Sequence, residues 1–128
     1  MTPRKLRLAA EILAAYVRVR LVLRRHRDVR DALASLRAPP GRAGSSGHPG
    51  PVRLAHAVTR VLDRLPSDSR CLTRSLVLAH LLSRRGLAST VVIGVRAGSS
   101  FGAHAWVERD GVALLPPDEA EFARLVEL

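Results

Sequence analysis

The spacing of apolar residues predicts that the first part of the chain is helical. Within residues 4–36, apolar positions recur at steps of three and four, which is the period of an amphipathic helix. The residues of this stripe are Leu6, Ala9, Ala10, Leu13, Val17 and Leu21. Asp28 suits the start of a second short helix that runs through Leu36. Residues 38–51 are rich in Pro, Gly and Ser, which predicts a loop or linker after these helices.

Two further helices are predicted after the linker. Residues 52–64 return to helical spacing, and the next helix spans about residues 70–85. The Ser-Asp-Ser sequence at residues 67–69 supplies N-cap residue types just before this second helix. Gly86 suits the C′ position after it, where the backbone often turns left-handed.

From residue 90 onward the pattern changes to short strands. Strands are predicted at 90–95, 103–108 and 112–115. Asp110-Gly111 is a strong two-residue hairpin signal, which would pair Arg109 with Val112. Asp118 and Glu121 match a capping box and predict the start of a final short helix that carries Phe122, Leu125 and Val126. Helices followed by a small antiparallel sheet make an α+β fold.

Basic charge is concentrated in the N-terminal part of the chain. Residues 1–50 hold eleven basic and three acidic residues, whereas residues 51–128 hold ten and eight. A basic face attracts acidic peptides, acidic proteins, nucleic acid or anionic membranes. The apolar stretch from Leu6 to Leu23 is broken by four charged residues, and no signal-peptide pattern opens the chain. We therefore expect a cytoplasmic protein without a membrane span.

Cys71 is the only cysteine and is predicted to lie in the first turn of a helix. The unpaired backbone N–H groups and the positive dipole end there favour a thiolate over a thiol. Arg70 and Arg74 add positive potential nearby. A single free cysteine is also often a small buried apolar residue, and that alternative stays open on position alone.

His104 is the best candidate for a base that acts with Cys71. It lies in a predicted strand between two alanines, where small neighbours leave an imidazole accessible. A cysteine at a helix start and a histidine on a strand form the nucleophile and base of papain-like sites. The 33 residues between them leave room for the rest of the helix, one strand and a turn.

A third group should orient the imidazole of His104. Hairpin counting places His104 opposite Pro117, so Asp118 is one residue away from that position. Glu108 shares a strand face with His104, but four residues of strand separate them by roughly 13 Å. Asp118 is therefore the preferred candidate, with an N-cap role as an equal alternative and a backbone carbonyl as another orienter.

Residues 67–115 carry motifs that resemble a known family. These motifs are Cys71-Leu72-Thr73-Arg74-Ser75-Leu76, Arg84-Arg85-Gly86, Val92-Ile93-Gly94-Val95 and Ala103-His104-Ala105-Trp106-Val107-Glu108 with Asp110-Gly111. Together they resemble the lasso-peptide biosynthesis B2 proteins, which are leader peptidases with a transglutaminase-like cysteine-peptidase domain. The resemblance implies that Cys71 is the nucleophile and His104 the base. The family's acidic third residue lies on the strand after the hairpin, and this chain departs from that pattern before Asp118.

The resemblance also implies a domain division and a set of partners. Residues 1–50 would form a basic helical region and linker, and residues 51–128 a transglutaminase-like or papain-like core with the cysteine helix packed on the sheet. The substrate would be a precursor peptide, recognised by a separate leader-binding protein, with a separate ATP-dependent cyclase as a further partner. No cofactor is expected, because one cysteine and scattered histidines give no metal-ligand spacing.

Two other function classes remain open at this point. A non-catalytic scaffold for a partner enzyme would leave Cys71 without a chemical role. A nucleic-acid-binding module would explain the arginines, but the chain has few aromatic residues for base stacking and no recognised binding motif. We therefore expect no nucleic-acid partner.

Overall fold

A computed structural model describes five segments of the chain: residues 3–37, 50–65, 71–96, 102–114 and 123–128. Four helices come first, and they are α1 (Pro3–Arg25), α2 (Val29–Leu36), α3 (Pro51–Asp63) and α4 (Cys71–Arg84). Four strands follow, and they are β1 (Thr90–Arg96), β2 (Gly102–Arg109), β3 (Val112–Ala113) and β4 (Ala123–Glu127). The expected α+β class is confirmed.

Helix α4 is the centre of the fold. It packs against α1, α2 and α3 and also against strands β1 and β2. Nine of its residues are buried, including polar Ser75 and His80. A helix that is apolar on most of its circumference must be covered on several sides. The chain therefore places the predicted cysteine helix between the other helices and the sheet.

The ends of the helices follow the local sequence signals. The Asp28 side chain accepts a 3.0 Å hydrogen bond from the backbone N–H of Arg30 and so caps α2. Gly86, with φ of 73°, follows α4 in the left-handed region. The N–H groups of Gly86 and Leu87 donate to the carbonyls of Ser83 and Leu82. This pair of bonds is a Schellman motif, which satisfies two free carbonyls at the helix end.

The sheet is antiparallel with strand order β3-β2-β1-β4. Strand β2 pairs with β1 in a register that places Gly94 opposite His104 and Val92 opposite Trp106. The β2–β3 hairpin pairs Arg109 with Val112, as predicted from Asp110-Gly111. Both turn residues have positive φ, the requirement of a type I′ turn.

The predicted final helix is wrong, because residues 123–127 form strand β4. This segment pairs with the edge of β1 that β2 leaves open, and Val91 and Leu128 exchange two backbone hydrogen bonds at its end. Five residues are too few for a stable isolated helix, so the unpaired edge of β1 decides the structure. The capping residues proposed for that helix, Asp118 and Glu121, lie outside the described residues.

The apolar face that α1 buries differs from the stripe that the sequence pattern indicates. The buried residues are Ile12, Ala15 and Val19, which join the main core. By contrast, large side chains of the predicted stripe are exposed to between 40% and 56%: Leu6, Leu13, Val17 and Leu21. Helix α1 therefore has two apolar faces, and only one of them is covered by the described residues.

Candidate active site

Cys71 is the first residue of α4, which agrees with its predicted position in the first turn of a helix. Its side chain is half-buried, so the thiol is partly accessible. The first turn of a helix carries backbone N–H groups that have no partner within the helix. Arg74, one turn along, forms an ion pair with Asp63 at the end of α3. That pairing joins the start of α4 to α3 and offsets the positive charge that Arg74 brings.

The thiol of Cys71 lies directly beside strand β2. Its Sγ accepts a 3.3 Å hydrogen bond from the backbone N–H of Ala105. The backbone groups of residues two apart in a strand point to the same side. Val107 accepts from the N–H of Leu114 on the β3 side, so the N–H of Ala105 faces that side too. Cys71 thus contacts the edge of β2 beyond the end of the β3 ladder.

His104 immediately precedes the amide that binds Cys71. The amide nitrogen of Ala105 is separated from the Cα of His104 by two covalent bonds. With the 3.3 Å hydrogen bond, this places the Cys71 Sγ within about 6 Å of that Cα. The opposite residue on β1 is Gly94, which has no side chain and is buried. The packing of α4 on β2 therefore brings the thiol of Cys71 close to the backbone of His104.

Trp106 lies on the same face of β2 as His104. The two rings are stacked with centroids 6.2 Å apart and an interplanar angle of 24°. Trp106 is only 6% exposed, so its ring is a fixed support. Residues two apart in a strand share a face, which accounts for this arrangement. The indole ring of Trp106 therefore supports the imidazole of His104, the candidate base.

A carboxylate and a guanidinium extend this row across the sheet. The indole Nε1 of Trp106 donates a 2.8 Å hydrogen bond to Oε2 of Glu108, and Arg124 of β4 donates to the same oxygen at 2.7 Å. The bond from Trp106 lowers the pKa of Glu108, partial burial opposes this, and Arg124 lowers it further. Glu108 therefore holds Trp106 in place.

Of the two carboxylates considered as the third group, the structure describes only Glu108. Its Oε2 is occupied by Trp106 and Arg124, and it lies two strand positions beyond Trp106. Asp118, the preferred candidate, lies outside the described residues, so its role stays a prediction.

Three contributors to this site had no distinct sequence signal. Ala105 acts through its backbone, Gly94 through its lack of a side chain, and Arg124 through a strand that the sequence pattern assigned to a helix. Finding them would have needed the packing of α4 on β2, the register of β2 against β1 and the pairing of β4 with β1.

The model of the transglutaminase-like superfamily matches residues 13–127. The chain belongs to this superfamily. The match spans both the helical region and the sheet, so the transglutaminase-like domain includes α2, α3 and most of α1. No curated protein and no solved structure matches the chain. Among the described helices of this transglutaminase-like domain, none combines the length and apolar content that a bilayer span requires.

Proposed function

We propose that this transglutaminase-like protein is a cysteine peptidase that removes the leader from a lasso-peptide precursor. The observation that carries the proposal is the hydrogen bond between Cys71 and the amide next to His104. It supports a nucleophile and base that meet at one strand edge. The family match supports the same chemistry, and the motifs from Cys71 to Gly111 supply the resemblance to B2 leader peptidases.

The first half of the reaction would form an acyl-enzyme. His104 takes the thiol proton of Cys71, and the thiolate attacks the carbonyl carbon of the peptide bond between leader and core. The resulting oxyanion accepts a hydrogen bond from the backbone N–H of Cys71 at the start of α4. As the C–N bond breaks, the imidazolium returns its proton to the leaving amine. The core peptide leaves with a free α-amine, and the leader stays on Sγ as a thioester.

The second half would release the leader. His104 takes a proton from a water molecule, whose oxygen attacks the thioester carbonyl. The C–S bond breaks, the leader leaves with a carboxylate, and the thiolate of Cys71 is regenerated. Asp118 is proposed to orient His104 during both proton transfers. The reaction needs no metal or organic cofactor, because thiol, imidazole and water supply every atom that is exchanged.

The resemblance supports a division of labour between this peptidase and its partners. A separate leader-binding protein would present the precursor, and an ATP-dependent cyclase would use the released α-amine. We propose that these steps take place in the cytoplasm, where a free thiol such as Cys71 stays reduced.

The test is cleavage of a precursor peptide in the presence of a leader-binding partner, followed by mass spectrometry. The wild type should produce two fragments from one cut, and isotopically labelled water should enter only the leader carboxylate. Cys71→Ala and His104→Ala should lower the rate at least 100-fold, within the usual ~10²–10⁴ range for a positioned base. His26→Ala, at the far end of α1, is the matched histidine control and should keep full activity. Cleavage by Cys71→Ala at the wild-type rate would refute the proposal.

A further inference from the structure

A groove with an apolar floor and a basic rim runs between α1 and α3. Its volume is about 1100 Å³. The residues that line it include Leu6, Leu13, Arg53, Arg60, Val61 and Arg64. Pockets for small ligands usually have volumes of about 300–1,000 Å³. The size and elongated lining of this groove therefore fit a peptide segment better than a small molecule.

The floor of the groove uses the uncovered apolar face of α1. Leu6 and Leu13 are 56% and 40% exposed. They are seven residues apart, so they lie on one side of α1 about 10 Å from each other. Val61 and Leu65 line the opposite side from α3 and the residues just after it. Two apolar anchors at this spacing match the i and i+7 positions of an amphipathic helix that binds in a groove.

The rim of the groove is basic on the α3 side. Arg53, Arg60 and Arg64 are exposed and recur at steps of seven and four residues along one face. Lys5 lines the groove from α1, and none of the described residues that line it is acidic. Because like charges would repel, the rim favours an occupant that carries carboxylates.

One end of the groove lies close to the candidate active site. Arg64 and Leu65 follow directly after α3, and Asp63 beside them forms the ion pair with Arg74 in the first turn of α4. Cys71 begins that same turn. A peptide chain that lies in the groove can therefore continue toward Cys71.

We infer that the groove binds an acidic segment with apolar side chains in the peptide substrate, away from the bond that is cut. Calling the occupant substrate rests on the proposed peptidase function, whereas the binding itself does not. Apolar side chains of the segment contact Leu6 and Leu13, and its carboxylates face Arg53, Arg60 and Arg64. The groove thereby selects the substrate by charge and helical spacing rather than by residues at the cut.

The binding test uses the Cys71→Ala protein, so that no cleavage can interfere. The probe is a fluorescently labelled amphipathic peptide of about 14 residues with Leu on one helical face and Glu on the other. Fluorescence anisotropy should show binding that weakens as salt is raised. The same peptide with Lys in place of Glu should bind at least tenfold more weakly. Equal binding of the two peptides would overturn the inference.

Two pairs of variants locate the binding on the surface. Leu13→Asp should weaken binding of the Glu peptide at least tenfold, whereas Leu21→Asp, on the same exposed stripe but outside the groove, should leave it unchanged. Arg60→Glu should weaken it similarly, whereas Arg20→Glu on α1 should not. Equal effects within either pair would overturn the assignment to the groove.

Other occupants give different results in the same experiments. Binding of anionic lipid vesicles that is lost equally in Leu13→Asp and Leu21→Asp, without binding of the Glu peptide, would assign the stripe to a membrane surface. A dimer in light scattering that Leu13→Asp converts to a monomer would assign the groove to a second copy. Either result overturns the inference.

A cleavage assay separates this inference from the proposed function. A precursor that lacks its acidic segment should be cut with a KM at least tenfold higher and a similar kcat, which is the signature of lost uniform binding. If no precursor is cut but the Glu peptide still binds in the groove, the proposed reaction fails and the groove assignment stands. If the precursor is cut with unchanged KM in Leu13→Asp and Arg60→Glu, the groove assignment fails and the peptidase stands.

Discussion

Glu108 accepts a 2.8 Å hydrogen bond from the indole of Trp106, whose ring is stacked on His104. The three side chains follow one another on the same face of β2, at every second residue. Arg124 binds the carboxylate of Glu108 from β4, which is separated from β2 by strand β1. The imidazole of His104 is thus supported by the stacked indole of Trp106. The indole is held by its hydrogen bond to Glu108, and Glu108 is held by its ion pair with Arg124. These contacts link the stability of the sheet to the protonation of Glu108.

Glu108→Gln should remove part of the pH dependence of stability. The pKa of Glu108 is lowered in the folded protein by Trp106 and Arg124. The carboxylate therefore stabilises the fold fully above its ordinary value near 4.5, and this stabilisation is lost as pH falls through the lowered pKa. In wild type the free energy of unfolding should decrease over that acidic window, and in Glu108→Gln the decrease should be smaller. At pH 7 the variant should be less stable by about 1–2 kcal/mol.

Trp106 is the only tryptophan, so its fluorescence reports unfolding and the local state of the site in one measurement. Glu127→Gln is the matched control, because Glu127 binds the same Arg124 but is 56% exposed. Its stability should follow the wild-type pH curve closely. Identical curves for Glu108→Gln and wild type would contradict the role assigned to this carboxylate.

Removing the carboxylate of Glu11 should destabilise the contact between α1 and α4. Arg85 donates to both carboxylate oxygens of Glu11, at 2.9 and 3.0 Å, and its side chain is only 6% exposed. Glu11→Ala leaves a buried guanidinium without this partner, so the free energy of unfolding should fall by about 2–4 kcal/mol, less than for a fully buried pair because Glu11 is partly exposed. Urea denaturation would measure the change.

A double variant provides the control for this ion pair. In Glu11→Ala with Arg85→Met the uncompensated charge is absent, so stability should recover relative to Glu11→Ala alone. A double variant that is as unstable as the sum of the two single changes would show that the pair contributes no coupling.

His80 should make the protein less stable in mildly acidic solution. Its Nδ1 donates a 2.6 Å hydrogen bond to the carbonyl of Leu36 at the end of α2. Burial lowers the pKa of His80, the bond to Leu36 opposes this, and the charges of Arg18 and Arg84 lower it further. The neutral form is therefore favoured on folding, and its contribution is complete above about pH 6.5 and lost as pH falls through the lowered pKa.

The measurement is the free energy of unfolding between about pH 5 and pH 8, the range in which histidines titrate. Wild type should lose stability toward pH 5, and His80→Leu should lack this component. At pH 7 His80→Leu should be less stable by about 1–3 kcal/mol, because the carbonyl of Leu36 loses its donor. A His56→Leu control, at an exposed position on α3, should keep the wild-type pH dependence.

Gly86→Ala should destabilise the end of α4. Gly86 has φ of 73°, and a Cβ in the left-handed region costs about 1–2 kcal/mol. Thermal unfolding should show a lower Tm, with little change in the chemistry at the opposite end of the helix. Ala88→Gly, two residues farther along in an exposed position, is a control that should change Tm less. An unchanged Tm in Gly86→Ala would mean that the Schellman turn does not stabilise the fold.

Local signals predicted much of this fold because they act within a few residues. Asp28 at a helix start, Gly86 at a helix end and Asp110-Gly111 in a hairpin each satisfy backbone groups beside them. The same reasoning placed Cys71 at the start of α4 and His104 on a strand. The papain-like arrangement then predicts that these two residues lie close together. The hydrogen bond from the backbone N–H of Ala105 to the Cys71 thiol agrees with this expectation.

Features that depend on contacts between distant parts of the chain could not be predicted from the local sequence. Helix α1 has two apolar stripes, and the packing of α2, α3 and α4 against it determines that Ile12 and Val19 are buried while Leu13 and Val17 stay exposed. Residues 123–127 form a strand because β1 offers an unpaired edge, not because of their own propensity. Arg124 consequently binds Glu108, a contact that does not follow from the predicted helix at residues 123–127.

The most direct test of the proposed Cys71–His104 pair is the rate at which iodoacetamide alkylates Cys71, the only cysteine in the chain. The folded wild type at pH 7 should react faster than the urea-unfolded chain, because in the proposed pair His104 takes the thiol proton as Cys71 attacks. His104→Ala should lower the folded-state rate about tenfold or more, while His26→Ala should not change it. Equal rates for folded wild type and folded His104→Ala would contradict the central claim that Cys71 and His104 act as a pair.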